Sequence, residues 1–190
     1  MKILLASASP RRKELIRFIS DEIRIIPSTC EENVPGNLNG RETVEYLSLL
    51  KGNDVKNKAE KDETVVSADT VVCLDGKILG KPKTEAEAFS MLRFLSGKTH
   101  SVYTGVTLIK GNRALTFSQE TKVTFYELTD TEINEYTATG EPMDKAGAYG
   151  IQGKGCLLIK EINGDYLNVV GLPVSLLKRK IEEFTNEDCC

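Results

Sequence analysis

Short apolar runs alternate with helically spaced apolar positions along this chain. Residues 3–6 form an unbroken apolar run and residues 2–6 predict a buried strand, with a second strand over 22–27. Between them Ser9 can cap a helix whose first position is Pro10, where a missing N–H does no harm. Leu15, Ile16, Phe18 and Ile19 then fall on one helical face. Residues 28–40, rich in Asn, Gly and Pro, read as a loop. Residues 41–61 read as helix, with a break expected at Gly52-Asn53. Residues 64–74 are strongly β, and Asp75-Gly76 turns them tightly into 77–79. Thr84-Glu85-Ala86-Glu87 is a capping box for a helix running to Gly97. Paired strands are expected over 101–110 and 114–128, around Gly111-Asn112, and Thr129 with Glu132 caps a short helix. A glycine-rich stretch over 138–155 leads to strands at 156–162 and 166–170, joined by Asn163-Gly164, and to a closing helix at 174–184. These elements make a mixed α/β domain with several hairpins, not a simple parallel doubly wound sheet.

At 190 residues a single domain over 1–190 is the expected organisation, with two lobes, and its core needs no disulfide scaffold. The net charge of −3 and a pI near 5.4 exclude a large basic face, so polymeric nucleic acid is not an expected partner. A few placed Arg and Lys still suffice for a small anion. No apolar stretch approaches the ~18 residues of a membrane span, and Ala6-Ser7-Ala8 lacks the apolar segment of a signal peptide. The five cysteines, Cys30, Cys73, Cys156, Cys189 and Cys190, form no CxxC pair, and His100 is the single histidine. A zinc site is therefore not expected. Reduced thiols in a cytoplasmic protein are, and Cys189-Cys190 reads as a thiol tail.

Candidate chemistry begins at Ser7-Ala8-Ser9-Pro10-Arg11-Arg12, which joins a strand to a helix start. Arginines there oppose the helix dipole, a placement that a bound phosphate explains and a capped helix with solvated arginines also accommodates. Asp69, inside an apolar β run, needs a partner, a metal or an opening to solvent. Glu32 in the preceding loop offers a second carboxylate, and together they have the hard oxygens that Mg²⁺ takes. Lys81, between Gly80 and Pro82, sits on a stiff loop suited to presenting an ammonium. Gly97-Lys98-Thr99 looks like the end of a phosphate-binding loop, but Leu92 stands where that loop requires glycine. Gln152, between Gly150 and Gly153, can both donate to and accept from a base. A triad built on His100 lacks a nucleophile and an oxyanion loop nearby.

The segments LASASPRRKEL (5–15), SADTVV (67–72), GKILGKP (76–82), MLRFLSGKTHSVYTG (91–105), EPMDKAGAYGIQG (141–153) and VVGLP (169–173) occur in this order. In them the chain resembles the Maf family of nucleoside triphosphate pyrophosphatases over nearly its whole length. The resemblance implies an α/β fold with a mixed twisted sheet flanked by helices, two-lobed with a central cleft, similar to the inosine-triphosphate pyrophosphatases (Maf/Ham1-like). It implies a divalent metal, Mg²⁺ or alternatively Mn²⁺, for which Glu32 and Asp69 are the candidate ligands by their oxygen chemistry. It also implies hydrolysis of a nucleoside triphosphate to its monophosphate and pyrophosphate. Asp69 matches the family's proposed proton acceptor, and Arg11, Thr70 and Gln152 match positions linked to substrate choice. Ser7, Arg12, Glu32, Lys51 and Lys81 match other polar residues of the cleft. Lys58-Ala59 competes with Lys51-Gly52 for one of these matches. Two arginines after the proline and a GIQG loop resemble the branch acting on dTTP and UTP, with modified pyrimidine nucleotides as further substrates. A homodimer is a family-level expectation. A non-catalytic nucleotide-binding regulator of cell division (septum formation) and an orthophosphate-releasing phosphatase are the alternatives.

Overall fold

Ile3, Leu4 and Leu5 are all fully buried, so β1 (Lys2–Leu5) is covered on both faces, as a strand inside a parallel sheet is. In this computed structural model, which describes residues 1–186, β1 lies parallel to both β2 (Ile23–Ile25) and β3 (Glu63–Leu74). Ile3 pairs with Ile23 on one side and Leu5 with Val66 on the other. Parallel neighbours require crossovers. Helix α1 (Pro10–Leu15) with a 3₁₀ turn supplies the first, and α2 (Gly40–Val55) the second. The order therefore reverses at β1, and the crevice beyond the carboxyl ends of such strands is where open α/β sheets place ligands.

The full sheet has seven strands in the order β2-β1-β3-β5-β6-β7, with β4 (Lys77–Leu79) antiparallel on β3. Strands β5 (Thr99–Lys110) and β6 (Arg113–Phe125) flank the two-residue turn at Gly111-Asn112, and β7 (Ile159–Asn163) runs antiparallel to the end of β6. Helices α3 (Glu85–Leu95), α4 (Asp130–Thr137), α5 (Tyr166–Val170) and α6 (Val174–Asn186) complete the elements used below. The chain forms two compact units, one from 1–69, 104–119 and 171–190, the other from 70–103 and 120–170. No helix among the described residues is long and apolar enough to cross a membrane.

In the first unit Leu4, Ala6, Val55, Val65 and Ile109 form a buried cluster. Helix α2 lies so close to β5 that a β-carbon on Gly105 would fall 2.3 Å from the Val44 carbonyl oxygen. Gly52 is also confined, since a β-carbon on it would fall 2.8 Å from the Ser67 hydroxyl, and the helix runs through it without the expected break. The glycine is a contact surface, not a stop. The helix instead ends at Val55 and a 3₁₀ turn at Lys56–Lys58, short of residue 61.

In the second unit Leu92, Leu95, Phe125, Ile133 and Tyr149 are core residues. His100 meets Phe125 and Tyr149 edge to face, with its Nε2 2.8 Å from the Tyr149 hydroxyl. Burial lowers its pKa to about 4, so it is a neutral core histidine. The Asp75-Gly76 turn has both residues at positive φ, as a two-residue hairpin requires. Thr129 and Glu132 make the full reciprocal box, whereas Glu87 accepts from Lys83 N–H and leaves the Thr84 cap one-sided.

Three further expectations are corrected. Residues 166–170 are helix, not strand, because Asp165 caps Leu167 N–H and buried Asn168 donates to Val102 O and Thr121 Oγ1. The last strand starts at Ile159, since residues 154–158 coil as a 3₁₀ segment. Phe18 leaves the α1 face for the 3₁₀ turn and is 76% exposed. Cys189 and Cys190 lie outside the described residues.

Candidate functional site

Asp69 lies near the middle of β3, buried at the end of the first unit, where the apolar run Val65–Val66 gives way to Ser67 and Ala68. Its Oδ1 accepts from Lys51 Nζ at 2.6 Å, and the same ammonium lies 2.9 Å from Glu32 Oε1. One cation thus holds two carboxylates that are 37 residues apart in the sequence. The Lys51 and Asp69 side chains are 14% and 12% exposed, while Glu32 is 51% exposed. The Lys51–Asp69 pair is therefore partly desolvated and electrostatically stronger than a surface bridge. Lys58, the competing residue, ends a 3₁₀ turn and its carbonyl accepts from Arg24.

Helix α2 also fixes the loop that carries Glu32. Asp54, three residues after Lys51, accepts from Ser28 Oγ at 2.9 Å and Thr29 N–H at 2.8 Å. These bonds hold its carboxyl below the usual carboxylate range. Asp54 was not singled out in the sequence, where it is one acidic residue among many. Its spacing of three from Lys51 on a helix is the available signal, since i and i+3 share a face.

Ser7 and Ser9 shape the turn after β1. Ser7 Oγ accepts from Ser9 N–H at 3.2 Å and Ser9 Oγ caps Arg12 N–H at 3.4 Å. Each hydroxyl thereby acts as an acceptor and keeps its proton to donate elsewhere. Helix α1 is only six residues long, so the side chains rather than its dipole carry the charge here. Arg12 Nε donates to the Gly171 carbonyl at 2.9 Å, which gives the VVGLP segment a role that its sequence does not display. Burial pushes the Arg12 pKa down, and the fields of Asp69 and Glu32 oppose that while Arg11 adds to it. An arginine stays protonated under such shifts. The first unit thus gathers Arg12, Glu32, Lys51 and Asp69 into one electrostatic cluster, with Arg11 acting on Arg12 and Ser7 shaping the turn that leads to it.

Thr70, Lys81 and Gln152 belong to the second unit. Thr70 is the next residue on β3 and is half-buried. Lys81 is exposed beside buried Pro82, and the Gly80 carbonyl before it accepts from Gly147 N–H at 3.0 Å. That bond ties the Lys81 segment to the loop that carries Gln152. Gln152 is itself exposed, between buried Ile151 and Gly155.

The donor set bears on a metal. Glu32 and Asp69 are hard oxygen donors that already converge on one positive charge, which fits Mg²⁺. No group of three or more His, Cys, Asp or Glu side chains able to hold an ion occurs among the described residues. An ion taken here would complete its shell from water and phosphate oxygens.

The family model described as Maf-like protein matches residues 2–184. A protein of Bacillus pumilus (strain SAFR-032) named dTTP/UTP pyrophosphatase is 50% identical over 183 residues, 96% of this chain and 96% of its own. One of Bacillus cereus (strain AH187) with the same name is 50% identical over 96% of this chain and 95% of its own. The structure of the Staphylococcus aureus Ham1 protein matches 96% of this chain and 99% of that chain at a TM-score of 0.55 and 15% identity, a likeness of fold. Near-complete coverage at this identity leaves no segment of the cluster outside the match, and the chain belongs to the Maf family.

Proposed function

We propose that this chain hydrolyses nucleoside triphosphates, dTTP and UTP first among them, to the monophosphate and pyrophosphate. The observation that carries the chemistry is the shared ammonium of Lys51, which holds Asp69 and Glu32 together in the cluster with Arg12. The substrate class follows from relatives of near-equal length named dTTP/UTP pyrophosphatase. Pyrimidine choice is assigned to Gln152, whose amide complements the N3–H and O4 edge shared by uracil and thymine. Arg11 and Thr70 are the further specificity residues.

A triphosphate resists attack by water until its negative charges are offset. Arg12 and Lys81 supply fixed positive charge for the phosphates, and Ser7 offers a hydroxyl donor. Asp69, oriented by Lys51, accepts the proton of the attacking water. The water oxygen bonds to the α-phosphorus, the bond from that phosphorus to the α–β bridging oxygen breaks, and pyrophosphate leaves with the electron pair. Glu32 and Asp69 are the residues that would hold Mg²⁺, which when bound offsets phosphate charge and polarises the α-phosphate. Lys51 then balances whatever negative charge the pair retains. We place the activity in the cytoplasm, in keeping with the free thiols of Cys30, Cys73 and Cys156.

The test is a product assay on the purified chain with Mg²⁺ and each nucleoside triphosphate in turn. Pyrophosphate released fastest from dTTP and UTP is the expected result. Orthophosphate as the product, or nucleotide binding without turnover, overturns the proposal.

A further inference from the structure

Gln152 tops a turn whose two shoulders are held by side chains from one neighbouring segment. Two residues before it, Gly150 N–H donates to the Tyr136 hydroxyl at 3.0 Å. Two residues after it, Lys154 N–H donates to Glu141 Oε1 at 3.1 Å. Tyr136 is buried near the end of α4, and Glu141 opens the 3₁₀ turn that follows, its own N–H bonded to Thr139 Oγ1. Neither residue lies in a segment to which the sequence assigned chemistry by its residue types.

The glycines of the turn have no room for a side chain. A β-carbon on Gly155 would sit 2.2 Å from Gly150 O and 2.7 Å from the Tyr136 hydroxyl oxygen. One on Gly153, at φ 81°, would sit 3.0 Å from both Glu141 carboxylate oxygens. The Lys145 stem covers Gly150 from above, and its ammonium donates to Glu141 O at 2.7 Å. Burial and the nearby Glu141 charge push the Tyr136 hydroxyl up to about 12, so it keeps its proton at neutral pH. Glu141 Oε2 is buried with no partner among the described residues, a position a carboxylate does not take without a compensating gain.

We propose that Tyr136 and Glu141 are positioning residues for base selection: they fix both shoulders of the turn that presents Gln152 and thereby set the discrimination between pyrimidine and purine triphosphates. This rests on the reading that Gln152 contacts the base. Gln152 is exposed, whereas Tyr136 is buried and Glu141 bonds the turn through Lys154 N–H, so the two clamping residues exert their effect through the backbone of the turn.

The experiment compares Tyr136→Phe, Glu141→Ala, Glu141→Gln and Gln152→Ala in the full chain. Pyrophosphate release gives kcat and KM for dTTP and dGTP, and amide hydrogen exchange is followed at Gly150 and Lys154. Tyr136→Phe and Glu141→Ala should each lower the dTTP-over-dGTP ratio of kcat/KM about tenfold, mainly through KM for dTTP, as loss of one aligned hydrogen bond does. Exchange should quicken at Gly150 in the first and at Lys154 in the second. Glu141→Gln keeps an amide oxygen for Lys154 N–H and should restore the ratio. An unchanged ratio in both clamp variants, with Gln152→Ala lowering it, overturns the positioning role alone. An unchanged ratio in Gln152→Ala overturns the base-reading assignment, and the clamp with it. If Tyr136→Phe fails to fold, the Glu141→Ala and Glu141→Gln pair decides.

Discussion

Arg12 and Gly171 stand 159 residues apart in the sequence and are joined by one hydrogen bond, Nε to carbonyl oxygen at 2.9 Å. The bond uses the Nε–H of a guanidinium that carries five N–H donors, so one side chain can anchor to the backbone and serve other acceptors as well. Lysine has one terminal nitrogen and cannot do both. Arg12→Lys should therefore lower kcat/KM for dTTP about 10²-fold, within the range for a lost charge-stabilising donor, while far-UV circular dichroism stays native. Steady-state pyrophosphate release checks it.

Lys51 is the residue that makes two carboxylates compatible neighbours. In Lys51→Met the stem is retained and the charge removed, so Asp69 loses its orienting donor. Turnover should fall about 10²- to 10³-fold with the fold intact, and Asp69→Asn should abolish pyrophosphate release. Undiminished turnover in Lys51→Met would remove that ammonium from the mechanism.

Two glycine substitutions should separate packing from flexibility. Gly105→Ala drives a β-carbon against the Val44 carbonyl and should destabilise the chain by about 3 kcal/mol. Gly36→Ala meets nothing within 4 Å and should change stability by less than about 0.5 kcal/mol. Urea unfolding midpoints at one pH give both values.

The single histidine allows a clean pH test. His100 is neutral and buried when folded, with its pKa lowered to about 4 from 6.5. Between those values the unfolded chain binds the extra proton, so stability rises with pH across the window and is lost as pH falls through it. The loss should approach about 3 kcal/mol from pH 6.5 to 4. In His100→Gln the slope of urea midpoint against pH should flatten between 4 and 6.5, whatever the absolute stability of the variant.

Local chemistry was readable in the sequence where it was complete within a few residues. Ser9-Pro10, Asp75-Gly76 and the Thr129–Glu132 box form as their residue types dictate. Val169 and Val170 favour strand by residue type, while the contacts that hold Tyr166–Val170 as helix run from Asn168 to residues 47 and 66 positions away. A glycine that permits close packing, as Gly52 does, looks the same in sequence as one that ends a helix. At the site, Asp69 announced itself by interrupting an apolar strand. Its pairing with Glu32 follows from their shared oxygen chemistry, while the addition of Lys51 and Arg12 rests on the family resemblance, since no spacing rule brings those positions together. Gly171 and Tyr136 accept their bonds through a backbone carbonyl and a buried hydroxyl, for which no residue pattern exists.

The bond from Gly147 N–H to Gly80 O has a further consequence. Gly147 takes φ 68°, and a β-carbon there would strike Val72, so its peptide is seated against β3 with no alternative position. The residue that would grip phosphate, Lys81, and the residue that would read the base, Gln152, thus hang from a common hinge pin. If Lys81 and Gln152 hold those roles, substitutions that shift Gly80, Val72 or Gly147 would disturb both at once, whereas a change of side chain at the crest of the turn leaves the shared bond in place.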